Sequence, residues 1–196
     1  MVGRDILIGG LASLVSPALY TLGFLLPIWM GLPPELPVTP SLVPFVGVRQ
    51  YIGTTLDGIP AALILTAVSL FLLMLLRLLL RKQWAAATAL VVLFLLPEVL
   101  FATNPAITVP LYLLGVAGGV FVLIRFGFLA YLSLNVFHNL LYEKPCTWDL
   151  SAWYAGRFLV PASVAIALAI YAFRIALAGR PVFRSNLFEG GGGRNP

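Results

Sequence analysis

Charge is what this sequence has least of. Only 10% of its 196 residues are charged while 61% are hydrophobic, and the mean hydropathy is +1.02. A water-soluble domain carries about a quarter of its residues as charge to cover its surface. This chain has too little polar surface for that, which argues against a soluble enzyme and, despite the net charge of +5, against a nucleic-acid binder. Histidine and cysteine are scarce as well, at one each. The single Cys146 excludes an internal disulfide and reads as a bystander thiol. With one histidine, His138, there is no second imidazole for a bis-histidine haem. No Walker-type phosphate loop, dinucleotide fingerprint, cysteine pair for a metal or nucleophile elbow occurs. We therefore expect no catalytic residue, no metal site and no enzymatic activity.

Two further absences concern processing and repeats. No small-x-small cleavage site follows the first apolar run, which from Ile6 to Met30 is too long for a signal peptide, so it reads as a retained helix. The internal repeat common in transporters is also missing.

Apolar length is what remains, enough for about six spans of about 20 residues. The expected fold is an all-α integral membrane bundle with spans near 6–30, 59–80, 84–103, 106–124, 126–142 and 155–178. Pro17 and Pro27 should kink the first span. A Pro-rich outer loop, 31–58, follows, with a short interfacial helix over Phe45–Leu56. Pro60 suits the first position of the second span. The short turn after Lys82 makes spans two and three an antiparallel hairpin. The run Ala106–Tyr142 is too long for one helix, and Arg125-Phe126-Gly127 is its natural hinge. Residues 179–196 form a polar, Gly-rich tail.

With the N-terminus in the cytoplasm, Arg4, Arg77, Arg81, Lys82, Arg125, Arg174, Arg180, Arg184 and Arg194 fall at the inner face. Arg49, Lys144 and Arg157 fall outside, an asymmetry of the positive-inside kind that places both termini in the cytoplasm. Trp29, Trp148 and Trp153 then mark the outer interface and Trp84 the inner one.

Polar residues at membrane depth are the candidates for function, because they are costly there. Tyr131, Asn135, His138, Asn139 and Tyr142 recur every three or four residues and share a helix face. Glu98 follows Pro97 at a similar depth, and Arg157 enters the last span at the same level. The functional reading makes His138 a ligand to haem or a chlorophyll-type pigment, or a hydrogen-bond partner of a quinone, oriented by Asn135 or Asn139. The structural reading, which we weight more heavily, is an interhelical hydrogen-bond network, with Glu98, His138 and Arg157 meeting inside the bundle. Gly115-x-x-x-Gly119 is a close-packing motif in an apolar helix. Phe121, Phe126, Phe128 and Phe137 suggest a face for bound pigment or lipid, and Arg180 and Arg184 suit anionic lipid headgroups.

Near the C-terminus a family resemblance emerges. Asp149-Leu150-Ser151-Ala152-Trp153-Tyr154-Ala155-Gly156, Tyr171-Ala172-Phe173-Arg174 and Ala178-Gly179-Arg180-Pro181-Val182-Phe183 resemble the C-terminal membrane domain of certain bacterial serine/threonine protein kinases. Gly3-Arg4-Asp5-Ile6-Leu7 looks like the junction where that domain begins. The glycine-rich loop, the His-Arg-Asp and the Asp-Phe-Gly of a kinase are missing, so no catalytic residue carries over. The resemblance implies a bacterial inner-membrane module that exists apart from its usual enzyme.

These readings converge on a non-catalytic accessory subunit. Its expected partners are lipids and the other membrane subunits of a larger assembly, such as a photosynthetic reaction centre or a respiratory complex. A sensory or anchoring module serving a separately encoded kinase is the alternative. A small transporter ranks last, because the inner halves of the spans offer few polar groups.

Overall fold

A computed structural model describes residues 2–32, 48–102, 104–141 and 155–177. Among them the backbone is helical throughout apart from short turns, with no strand. The helices are α1 (Val2–Ser13), α2 (Val15–Trp29), α3 (Val48–Leu80), α4 (Gln83–Phe101), α5 (Pro105–Phe126), α6 (Phe128–Leu141) and α7 (Ala155–Leu177).

Four stretches are long and apolar enough to cross a membrane: Val2–Trp29, Thr55–Leu80, Gln83–Phe101 and Pro105–Phe126. Little of each is buried inside the protein, from 11% to 22% of its most apolar window. On α3, for example, Leu63, Ile64, Phe71, Met74, Leu78 and Leu79 all face outward. In water such surface would collapse or aggregate, whereas lipid tails are as apolar as leucine and cover it without cost. The all-helical class read from composition therefore holds, with four stretches long and apolar enough to span a membrane. The other two expected spans fall on α6 and α7, whose apolar described stretches are Phe128–Leu141 and Ala162–Ala176.

Several boundaries differ from the sequence expectation, each for a local reason. The first span is interrupted at Leu14, three residues before Pro17. Proline has no N–H to give the Ser13 carbonyl, so the turn tightens and the Leu14 N–H donates to Leu11 O at 3.2 Å. Pro60 does not open the second span. It lies inside α3, which starts at Val48 and takes in the second half of the expected outer loop. Lipid-spanning helices tolerate such a proline because neighbouring groups re-satisfy the freed carbonyl. At 33 residues α3 is about 50 Å long, so its polar start (Arg49, Thr55, Asp57) projects past any bilayer that its apolar part crosses.

The hinge falls where the sequence puts it. Gly127 ends α5 with φ +86°, a left-handed backbone that favours glycine, and its N–H donates to Leu123 O at 3.1 Å. The chain then folds back, so that Val122 and Leu123 pack against Ala130 and Tyr131, with Ala12, Leu70 and Leu73 closing around them.

Among these helices α6 is the hub, packing on α1, α2, α3, α5 and α7, while α4 packs on α3 and α5. Residues Tyr142–Tyr154, the tail from Ala178 and the Arg157 side chain lie outside the described parts. With them go the expectations for Cys146, Trp148, Trp153, Arg180 and Arg184.

Candidate functional site

On α6, Tyr131 and Asn135 are buried and His138 and Asn139 half-buried, while Tyr142 of the expected polar face lies outside the described residues. Ser133 is buried as well. Placed in lipid, an amide or hydroxyl without a partner costs several kcal/mol, so the question is where these groups bond.

Asn135 spans two helices. Its Nδ2 donates to Thr66 Oγ1 on α3 at 3.1 Å and to the Tyr131 carbonyl one turn back at 3.0 Å. Thr66 is itself fully buried. One turn further along, Asn139 Nδ2 donates to the Gly58 carbonyl of α3 at 2.9 Å. Residues 135 and 139 thus meet 66 and 58, so the two helices run antiparallel. On the other side of α6, Ser133 Oγ donates to the Ile6 carbonyl of α1 at 3.0 Å. These three contacts tie the hub to two neighbours through side chains that have few other choices at this depth.

Glycines complete the site. A Cβ on Gly9 would strike the Ala130 carbonyl and come within 2.8 Å of Leu134 N and Ser133 Cβ; one on Gly3 would strike the Ala172 carbonyl and approach Ala176 N at 2.6 Å. Helix α1 therefore lies backbone to backbone on α6 and α7, the geometry that small residues permit in membranes. The predicted Gly115/Gly119 pair does something different. A Cβ added to Gly115 would lie 3.6 Å from Leu19 of α2 and one added to Gly119 would lie 3.4 Å from Tyr131 of α6, so the motif makes two shallow sockets for side chains of different helices.

His138 lies on α6, half-buried, and Glu98 on α4, and each has an interaction partner within the protein. Of the expected Glu98, His138 and Arg157 network, Glu98 stands on α4 and His138 on α6, while the Arg157 side chain lies outside the described residues. The phenylalanines do not share one face. Phe137 is buried and would lie 3.4 Å from a Cβ added to Gly10, Phe126 meets Phe121 edge-on at 6.3 Å, and Phe121 and Phe128 point outward. Among the described residues no group of three His, Cys, Asp or Glu side chains lies close enough to share a metal ion.

The sequence carried signals for the contacts not anticipated. Gly9-x-x-x-Ser13 on α1 is a small-x-x-x-small pair, both buried. On α7, Ala162, Ala165, Ala169, Ala172 and Ala176 recur every three or four residues, and Ala165 and Ala172 are buried. On α3, Gly58, Ala62 and Thr66 form the stripe that meets α6.

No protein-family model matches this chain, and neither a curated protein nor a solved structure does. The resemblance to a kinase-associated membrane domain rests on the quoted segments alone.

Proposed function

We propose that this protein is a non-catalytic structural subunit of a larger membrane assembly, built to present a fixed helical surface to lipid and to neighbouring subunits. One observation carries the reading: the polar side chains of the hub helix bond to the protein itself. Asn135, Asn139 and Ser133 each donate across a helix interface, which leaves their amides and hydroxyl serving packing. A ligand-binding or transporting bundle aims such groups at a chamber or a path. Here they hold three helices in register.

The test is purification of the native protein in a mild detergent, with mass spectrometry of what travels with it and an absorbance spectrum. Co-purifying membrane subunits in fixed stoichiometry support the proposal. Haem or pigment absorbance in that assembly would identify it as energy-transducing and make His138 the residue to replace first. A lone, colourless protein refutes the subunit reading. Recovery of a serine/threonine kinase as the sole partner would move the assignment to the sensory or anchoring module.

A further inference from the structure

The hub network leaves one feature of the bundle unused. Where α3 ends, α4 begins and α5 ends, the three helices leave a half-open cleft of about 170 Å³. Its floor is apolar, made by Leu73 of α3, Ala86 of α4, and Leu123 and Ile124 of α5, and Ala86 and Leu123 are buried. Its mouth is polar, carrying Arg77 and Gln83.

Cations flank that mouth. Arg81 and Lys82 form the α3–α4 turn, and Arg125 follows Ile124; all are exposed, as is Arg77. Among the described residues the ion pair formed by an arginine is Arg4 with Asp5, at 3.2 Å, so none of these four cations is matched to a carboxylate. Arg81 also adopts φ +57°, a conformation usually left to glycine at a helix end, with its N–H on the Arg77 carbonyl at 2.9 Å. Next to them Trp84 is 87% exposed. A tryptophan so placed belongs at headgroup level, which sets the mouth of the cleft at the lipid–water boundary.

We propose that this cleft binds one anionic phospholipid from the leaflet it opens to. The phosphodiester would lie on Arg77 with Arg81 and Lys82, and the upper part of an acyl chain would lie over Leu73 and Leu123. The two halves of the cleft call for the two halves of such a molecule. A soluble anion makes no use of the apolar floor, and a neutral lipid leaves four cations unmatched. The tail from residue 178 is poorly suited to fill the cleft, since it brings Arg180, Arg184 and Arg194 against Glu189 alone.

The experiment is native mass spectrometry of the full chain in mild detergent with equal amounts of dioleoyl phosphatidylglycerol and dioleoyl phosphatidylcholine. One phosphatidylglycerol should be retained in preference. Each basic residue near an anionic headgroup contributes about fivefold in affinity. The variant Arg77→Gln/Arg81→Gln/Lys82→Gln should therefore bind up to about a hundredfold more weakly, while Arg174→Gln, at the end of α7, binds as wild type. Met74 lines the cleft yet is 65% exposed, so Met74→Trp adds bulk there at little risk to folding and should also weaken retention. Excess glycerol phosphate should not displace the lipid. Equal retention of the two lipids overturns the proposal, as does undiminished binding in the triple variant. Loss in Arg174→Gln as large as in the triple variant would mean diffuse attraction, and displacement by glycerol phosphate would mean a site for free anions; either outcome also overturns it.

Discussion

Replacing Gly9 by alanine gives the most direct test of how the bundle is held. The added methyl would strike the Ala130 carbonyl and lie 2.8 Å from both Leu134 N and Ser133 Cβ. Real contacts of this kind stay beyond about 3 Å, and two of the three atoms are backbone that no rotamer change can move aside. Helix α1 must therefore shift away from α6. Overpacking of this sort costs roughly 1–3 kcal/mol. The shift also stretches the Ser133–Ile6 hydrogen bond, whose length is 3.0 Å and whose worth in a membrane is about 0.6 kcal/mol. Against this, alanine is favoured over glycine inside a helix by about 0.5–1 kcal/mol. The net expectation is a loss of about 1–2 kcal/mol, or a fall in Tm of several degrees at roughly 2–4 °C per kcal/mol. Gly118→Ala supplies the control, because nothing lies within 4 Å of its added methyl; the helix term acts alone there, and Tm should hold or rise. Thermal unfolding in one detergent, followed by tryptophan fluorescence and by recovery on size exclusion, measures both. If Gly9→Ala proves as stable as Gly118→Ala, α1 does not lie backbone to backbone on α6 and the reasoning fails.

Further outcomes follow from the same geometry. Asn135→Leu should destabilise by about 1 kcal/mol, and a double-mutant cycle with Thr66→Val should return a coupling near 0.6 kcal/mol; zero coupling would remove that hydrogen bond from the account. Gly127→Ala forces a side chain onto a backbone at φ +86°, so it should cost about 1–3 kcal/mol, and an unchanged Tm would show that the hinge does not need glycine. If both termini are cytoplasmic, Arg4→Cys and Arg125→Cys in a Cys146→Ser background should react with an impermeant maleimide only after the cytoplasmic side is opened. Labelling of either from outside would reverse the topology.

How much of this was legible in the sequence depends on whether a feature is local. Hydropathy located the long apolar helices, and the tight Gly127 turn was readable because only glycine suits a reversal of that kind inside an apolar run. The Asn135/Asn139 face was readable for a similar reason, since an amide at membrane depth must find a partner. Its partners, Thr66 and Gly58, were not, because a threonine or a glycine carbonyl in α3 carries no mark of which helix will lie beside it. Pro60 misled as a start signal: its missing N–H suits the first turn of a helix, but α3 absorbs the loss in its interior. Gly115/Gly119 stood out as a motif, yet Gly3 and Gly9 make the closer approaches. Which small residues meet a neighbouring backbone is decided by the arrangement of the helices, and one helix's own sequence does not encode that.

The same arrangement implies that the bundle does not open all at once. Apolar burial cannot drive helices together in lipid, so what remains is close packing and polar contact. Helix α3 has both toward α6: Gly58, Ala62 and Thr66 lie on one face, with the Asn139 and Asn135 bonds above and below a fully buried Ala62. Helix α4 is held differently. Its buried residues are Ala86 and Leu90, Thr88 bonds back to its own Trp84 carbonyl at 2.9 Å, Glu98 near its far end has an interaction partner, and none of the three bonds that staple α6 reaches it. It should separate first. In a Cys146→Ser background, Ala62→Cys and Ala86→Cys replace two fully buried alanines by a slightly larger thiol. On slow heating in detergent, maleimide should reach the thiol at position 86 several degrees before the one at position 62. Simultaneous labelling would mean that the α3–α4–α5 contacts are as strong as the stapled core, and that the hub described above is one element of a uniformly cooperative bundle.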